Sequence, residues 1–115
     1  MEADVRSVQY LYLTTKGRVT GLPREIEIWY VERAGNFYVL AEHFYRAQWV
    51  KNIAKEPRVH LRVGARRVAA TAGALDPVSN REEWQDVQRL AREKYGWGDG
   101  LPVRIVPDEP PQDGQ

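Results

Sequence analysis

The stretch Leu13–Arg24 reads LTTKGRVTGLPR, and the interpretation of the whole chain starts from it. Its first half belongs to a run rich in Tyr, Leu and Thr, which is typical of a β-strand. Glycines at positions 17 and 21 then predict a loop in which backbone N–H groups can approach a ligand. The polar side chains of this segment are Thr15, Lys16, Arg18, Thr20 and Arg24. The pattern favours a loop that holds phosphate or carboxylate, and a polar hairpin loop with surface cations is the plainer alternative.

Six segments have the alternation and composition of short strands. They are Val8–Thr15, Glu25–Arg33, Phe37–Glu42, Val59–Val63, Arg67–Leu75 and Val103–Val106. Turn residues separate neighbouring segments, and the turn Ala34–Asn36 predicts a hairpin between the second and third strands. We therefore expect an antiparallel sheet that curls into a small barrel.

Two segments have the helical period of apolar residues. Arg46–Glu56 predicts a short helix that Pro57 ends. A longer helix follows Ser79, which forms a capping box with Glu82, and Gly96 ends it. The predicted fold class is α+β, mainly β: a six-stranded antiparallel barrel with one short central helix and one longer C-terminal helix.

Composition limits the functional classes. A chain of 115 residues suits one domain, and we assign it to residues 1–106, with residues 107–115 as a disordered, acidic, proline-rich tail. The absence of cysteine excludes disulfides and thiol chemistry, and two histidines make a metal site improbable. No apolar run approaches the roughly 18–20 residues of a membrane span. Met1–Asp4 has no signal-peptide pattern, so the expected compartment is the cytoplasm.

A second segment, His43–Asn52, joins a strand to the short helix and combines aromatic with basic residues. Amides at a helix start favour anions, and Tyr45 and Trp49 can stack on a flat ring. Core packing of Trp49 and a solvated Arg46 is the plainer alternative. The sequence contains no Ser-His-Asp arrangement, so an enzyme with this sequence requires a cofactor to carry the reaction.

Two motifs in this order resemble those of a known family. Residues 13–24 are similar to the pattern L-T-T-x-G-R-x-T-G-x-P-R, and residues 49–59 are similar to W-x-x-N-l-x-x-x-P-x-V. The family is the deazaflavin-dependent nitroreductase and quinone reductase group. It belongs to the split-barrel flavin-binding superfamily, which includes pyridoxamine phosphate oxidases. The resemblance extends over residues 10–75 and implies a split β-barrel that binds coenzyme F420, or FMN as the alternative, in an open groove.

The resemblance also implies which residues bind the cofactor. Those that hold phosphate or line the groove are Lys16, Gly17, Arg18, Thr20, Gly21 and Arg24. The others are Glu27 and Ile28 beside the ring, His43 and Arg46 over the phosphate end, and Trp49 and Asn52, which position the ring or the loop above it. No catalytic acid or base and no metal ligand is implied, because the hydride chemistry belongs to the cofactor.

The implied activity is transfer of a hydride from the reduced cofactor to a quinone, a nitroaromatic or a similar small electron acceptor, by a homodimer. Two alternatives stay open. Glu42–Gln48 stands where many family members have a glycine-rich stretch, which favours a flavin or deazaflavin carrier without turnover. The basic middle of the chain permits single-stranded nucleic acid binding, although the net charge of +1 disfavours it. The stacking platforms in that case are Tyr10, Tyr12, Trp29, Tyr30 and Tyr38.

Overall fold

In the computed structural model, which describes residues 9–109, seven strands form one antiparallel sheet. The strands are β1 (Tyr10–Lys16), β2 (Pro23–Trp29), β3 (Val31–Arg33), β4 (Asn36–Ala41), β5 (Arg58–Val63), β6 (Arg66–Ala74) and β7 (Leu101–Pro107). Their order across the sheet is β2-β1-β5-β6-β7-β4-β3. Helix α1 (Gln48–Lys55) follows a 3₁₀ turn at Phe44–Arg46, and helix α2 (Arg81–Tyr95) connects β6 to β7.

The predicted fold class is confirmed, and the sheet has one strand more than predicted. The predicted strand Glu25–Arg33 is divided at Tyr30, whose side chain is buried. The chain pairs with β1 before this residue and with β4 after it, so only β3 contributes to the predicted hairpin. Because Trp29 and Val31 belong to opposite edges of the sheet, the sheet must curl until its two edges come close together.

The alternating strands supply most of the core. Leu11 and Leu13 of β1 and Val59 and Leu61 of β5 are almost completely buried, and Ile53 of α1 packs against them. A second cluster under α2 contains Val31, Tyr38, Leu40, Leu75, Val87 and Ala91. Burial of each large aliphatic side chain contributes about 1.5–3 kcal/mol. Helix α1 thus closes one side of the curled sheet, and α2 covers another.

A charged network fixes α2 to the sheet. Arg104 on β7 donates to the Glu83 carboxylate from Nε at 2.8 Å and from Nη2 at 2.7 Å. The hydroxyl of the buried Tyr38 donates to the same carboxylate at 2.5 Å. The bidentate Arg104 guanidinium lowers the pKa of Glu83 to about 2, against the desolvation that raises it. This network determines where α2 lies on β4 and β7.

The start of α2 differs from the prediction. The capping box of Ser79 and Glu82 is wrong, because the N-cap is Asn80, which makes no side-chain bond to the helix amides within the described chain. The Asp76 carboxylate instead accepts the backbone N–H of Ser79 at 2.9 Å, which organises the preceding turn. The predicted end is confirmed: Gly96 adopts φ 79°, a left-handed conformation that glycine accommodates easily.

Both ends of the chain continue beyond the described residues. Val8, the predicted start of the first strand, and residues 110–115 of the predicted tail lie outside them. Strand β7 includes Pro107, one residue past the predicted domain boundary, and the backbone N–H of Asp108 donates to Ala69 O at 2.9 Å. No helix within residues 9–109 is long and apolar enough to cross a membrane.

We expect Glu83→Gln to lower the free energy of unfolding by about 1–3 kcal/mol near neutral pH, because Arg104 and Tyr38 lose their charged partner. The folded pKa of Glu83 lies below the ordinary value of 4.5 for a glutamate. Its contribution is therefore complete above that pH and is lost as the pH falls toward about 2. Urea denaturation of both proteins across this pH range measures the difference.

The exposed neighbour Glu82 supplies the matched control. Glu82→Gln changes the same charge in the same helical turn, and we expect a loss within about 0.5 kcal/mol. Equal losses in the two variants, or a loss for Glu83→Gln that does not change with pH, would contradict the role assigned to the network.

Candidate functional site

A buried amide joins the glycine-containing loop to helix α1. Asn52 is 5% exposed, and its Nδ2 donates to Thr15 Oγ1 at 3.0 Å. Its Oδ1 accepts the backbone N–H of Arg18 at 3.2 Å and Nη1 of the same residue at 3.0 Å. One turn later, Lys55 Nζ donates to Arg18 O at 3.0 Å. The Asn52 amide thus uses its donor and its acceptor to fix the end of β1 and the start of the loop against the helix.

The loop after β1 closes through its two glycines. Gly17 N–H donates to Leu22 O at 2.8 Å, and Gly21 N–H donates to Gly17 O at 2.7 Å. A Cβ at Gly17 would lie 3.0 Å from Leu22 O, and Gly21 has φ 77°. The loop's own backbone therefore requires both glycines. The sequence suggested that these glycines allow a ligand to approach the backbone. The structure gives a second reason, the closure of the loop itself, which is sufficient alone.

A cleft of about 410 Å³ lies beside this loop, and we call it the cationic cleft. The predicted site residues that line it are Gly17, Arg18, Thr20, Arg24, Trp49 and Asn52. Arg18 donates to the neutral side chains of Asn52 and Gln48, to the latter at 2.7 Å. Within residues 9–109, neither Arg18 nor Arg24 has a carboxylate at ion-pair distance. Their two positive charges are therefore available to an anion.

A second cleft of about 600 Å³ shares Ile26 and Trp49 with the first, and we call it the aromatic cleft. The predicted residues Glu27, Ile28 and His43 line it together with Trp49. Its other walls include Tyr10, Trp29, Leu40, Glu42 and Trp97. The two clefts adjoin at the shared residues, and we call the pair the groove: one of its ends is cationic and the other is aromatic.

The groove runs along one open edge of the curled sheet. Residues of β2, an edge strand, line both clefts, and Leu40 on β4 faces them across the aromatic cleft. An edge strand leaves half of its backbone N–H and C=O groups without a partner strand. The groove therefore offers backbone hydrogen-bonding groups in addition to its side chains.

Three predicted site residues lie apart from the others. Lys16 and Gly21 line a third cleft of about 380 Å³, which also contains Arg58 and His60. Arg46 is exposed on the 3₁₀ turn and lines none of these three clefts. The structure thus brings Arg18 and Arg24 together but separates them from the other predicted cations. Cofactor binding by any of these residues stays a prediction.

The sequence analysis did not identify Trp97 as a wall of the groove. This residue lies in the turn after α2, between Gly96 and Gly98. A Cβ at Gly98 would collide with Gln88 O, and one at Gly100 would lie 2.9 Å from Ala41 O. The turn is therefore pressed against the helix and the sheet. Three glycines around a single tryptophan are the sequence signal for such a close approach.

The opposite wall of the aromatic cleft is held by Tyr95. Its ring stacks on Trp29 with a centroid distance of 4.4 Å and an interplanar angle of 3°. Its hydroxyl donates to Tyr30 O at 2.8 Å and accepts Tyr30 N–H at 3.0 Å. Burial raises the pKa of Tyr95 to about 12, so the hydroxyl remains protonated at physiological pH. The stacked pair is thereby fixed at the point where the chain passes from β2 to β3.

This packing removes most of the stacking platforms expected for nucleic acid. Tyr30 and Tyr38 are 1% and 0% exposed, so their proposed role as platforms was wrong. Trp29 has one face covered by Tyr95, and Arg62 lies over the Tyr12 ring at 4.0 Å from its centroid. Sequential bases require several open ring faces, which this arrangement does not offer.

We expect Asn52→Ala to lower the free energy of unfolding by about 2–4 kcal/mol, because the variant leaves a cavity and buried polar groups without partners. We also expect the Gly17 and Gly21 amides to exchange with solvent faster, since the loop loses its attachment to α1. Urea denaturation and hydrogen exchange followed by nuclear magnetic resonance measure the two effects.

Gln48→Ala is the matched control, because it removes only the exposed contact with Arg18. We expect a loss within about 0.5 kcal/mol and little change in loop exchange. Loop amides that exchange equally fast in both variants would contradict the attachment of the loop by Asn52.

Comparison with known proteins gives a family and a fold. The profile of the F420H(2)-dependent quinone reductase family matches residues 3–107. The solved structure of an F420-H2-dependent reductase, FDR-A, is 26% identical with a TM-score of 0.65, over 84% of this chain and 92% of that one. A structure of a domain-swapped dimer is also 26% identical with a TM-score of 0.65, over 84% and 78% of the two chains.

HutZ, the haem storage protein from Vibrio cholerae, is 20% identical with a TM-score of 0.72, over 91% of this chain and 85% of that one. This likeness demonstrates a shared fold alone. No curated protein is a significant match to the sequence.

Proposed function

The chain belongs to the F420H(2)-dependent quinone reductase family, and we propose that it is a reductase that uses reduced F420 to reduce a quinone. The observation that carries this proposal is the single groove with a cationic and an aromatic end. A cofactor with a phosphate and a flat ring requires both environments. A flat, apolar acceptor requires the aromatic end as well.

The residues present fit such a cofactor. Clefts of about 410 and 600 Å³ lie within the range of ligand sites, about 300–1,000 Å³. Arg18 and Arg24 offer two uncompensated charges to a phosphate, and the Thr20 hydroxyl offers a hydrogen bond. Ile26 and Trp49, where the clefts meet, offer apolar and aromatic surface to a tricyclic ring.

The contribution of the protein is positioning. Reduced F420, when bound, supplies a hydride to the acceptor. Arg18 and Arg24 would hold the phosphate, and Trp49 would offer its ring to the tricyclic ring. Trp29 and Trp97 would contact a flat acceptor in the aromatic cleft. The acceptor also takes up a proton, which water can deliver at the exposed side chains of Glu42 and His43.

We expect Arg24→Gln to weaken the binding of oxidised F420 by more than about tenfold, because a phosphate loses a charge-assisted partner. Tryptophan quenching during titration measures the affinity, since Trp49 lies where the two clefts meet. Arg46→Gln is the matched control, because it also removes the charge of an exposed arginine, but one that lies outside both clefts. We expect the affinity of this variant to be within about twofold of that of the wild type. Equal affinities for the two variants would contradict phosphate binding in the cationic cleft.

The same titration with FMN, followed by steady-state turnover, distinguishes the remaining possibilities. We expect oxidation of reduced F420 in the presence of menadione, and a nitroaromatic compound tests the second acceptor class. Preference for FMN would contradict the proposed cofactor. Binding of F420 without turnover on any acceptor would favour the carrier alternative, for which Glu42 in the aromatic cleft was the sequence argument.

A homodimer is part of the proposal. It is supported by the domain-swapped dimer that is 26% identical to this chain. An apolar recess of about 290 Å³ between α1 and the end of β6, with Ala54 and Ala74 in its lining, is a surface that a second copy would cover. A monomer in sedimentation velocity at micromolar concentration would contradict this part.

A further inference from the structure

The loop between β1 and β2 presents two aliphatic side chains to solvent. Val19 is 86% exposed and Leu22 is 58% exposed, although the backbone of the same loop is fully organised. The contacts that fix the loop run through Gly17, Arg18 and Gly21, and they leave both side chains outside the core. The loop therefore holds an apolar tip in a defined position.

Three cations lie beside the backbone of this loop. The Lys16 side chain lies along the loop, with Cε 3.8 Å from a Cβ placed at Gly21. Lys55 Nζ is bonded to Arg18 O at 3.0 Å, and Arg24 Nε lies 3.4 Å from a Cβ placed at Gly17. None of the three cations has a carboxylate at ion-pair distance within the part of the chain that the structure describes.

The neighbouring carboxylates form no ion pair with these cations within residues 9–109. Glu25 lies opposite Thr14 in the β1–β2 ladder. Glu56 follows α1, and its Oε2 accepts the backbone N–H of Arg58 at 3.2 Å. The loop thus combines two exposed aliphatic side chains with a local excess of basic residues.

We propose that the tip Val19–Leu22 docks onto an anionic lipid bilayer. Aliphatic side chains at such a tip gain free energy by entering the boundary between headgroups and acyl chains. Lys16 and Lys55, which do not line the cationic cleft, then lie near the lipid phosphates, and each cation adds attraction to an anionic surface. Burial of Val19 and Leu22 and neutralisation of the surrounding charges occur in the same contact.

Other occupants fit the tip less well. A single-stranded nucleic acid uses cations with open aromatic faces, and exposed aliphatic groups add nothing to its binding. A stable protein interface needs about 800 Å² on each partner, far more than two side chains provide. The bilayer uses both the apolar and the charged parts of the tip.

Docking has a consequence for the groove. Val19 and Thr20 also line the cationic cleft, so the contact places one border of the groove at the membrane surface. The inference itself does not depend on the proposed activity, because it concerns the protein without any cofactor.

Co-sedimentation with vesicles tests the proposal. We expect the protein to bind vesicles of phosphatidylcholine and phosphatidylglycerol at low salt, and to bind pure phosphatidylcholine at least about tenfold more weakly. Salt near 0.15 M should weaken binding to the anionic vesicles, since the charged part of the contact is screened. We expect the double variant Val19→Asp, Leu22→Asp to bind anionic vesicles at least about tenfold more weakly.

Val78→Asp is the matched control. Val78 is 82% exposed, lies in the turn before α2 and has the Asp76 carboxylate near its backbone. We expect this variant to bind vesicles like the wild type, and all three proteins to have the same urea midpoint because the changed side chains are exposed. Urea denaturation therefore separates lost docking from lost folding.

Three outcomes would overturn the proposal. One is failure of the wild type to bind phosphatidylglycerol vesicles at low salt. Another is equal loss of binding in the tip variant and in Val78→Asp. The third combines two results: neither the wild type nor the tip variant binds vesicles, and in sedimentation velocity the wild type is a dimer whereas the tip variant is a monomer. This result would assign the tip to contact with a second copy of the chain. No F420 is present in these measurements, so their failure leaves the proposed function standing.

Discussion

The groove depends on the side-chain amide of one buried residue, Asn52. The Nδ2 of this amide donates to Thr15 Oγ1 on β1, and its Oδ1 accepts from the backbone N–H and the guanidinium of Arg18 in the loop. Buried polar groups in such a position are costly when one partner is lost, so the contact is made completely or the loop moves away. The two sequence motifs, 25 residues or more apart, therefore describe one contact: the first supplies Thr15 and Arg18, and the second supplies Asn52.

The second constraint is the division of the chain at Tyr30. One continuous segment supplies both edges of the sheet, so the sheet curls and its edges approach without pairing along their length. The groove lies along one of these edges, β2. Helix α1 lies beside its cationic end through Asn52, and the Trp29–Tyr95 stack stands at its aromatic end. A barrel that closed fully would have a packed interior in place of this groove.

Much of this arrangement could be predicted from the sequence, because strand alternation and helical period are local patterns. The division of the strand at Tyr30 could not be predicted, because the alternation of apolar and polar residues continues through that position. The change of partner strand has no signal in the local sequence. The sequence also did not predict that Lys16 and Arg18 line different clefts. These residues are two positions apart in the sequence, but one ends a strand and the other lies inside a closed loop, so they line different clefts.

The loop glycines illustrate the same limit. Their spacing indicated a ligand cradle, yet the contacts of Gly17 and Gly21 lie within the loop itself. Trp97 was missed because its place in the groove depends on long-range packing of two glycines, Gly98 against α2 and Gly100 against β4. The two motifs identified the family. Only the structure shows that the cations line separate clefts.

The most direct test of the central claim is a crystal structure of the protein with oxidised F420. The account requires the phosphate within hydrogen-bonding distance of Arg18 or Arg24 and the tricyclic ring against Ile26 and Trp49. A cofactor bound in the cleft of Lys16, Arg58 and His60, with the cationic and aromatic clefts left empty, would contradict this claim.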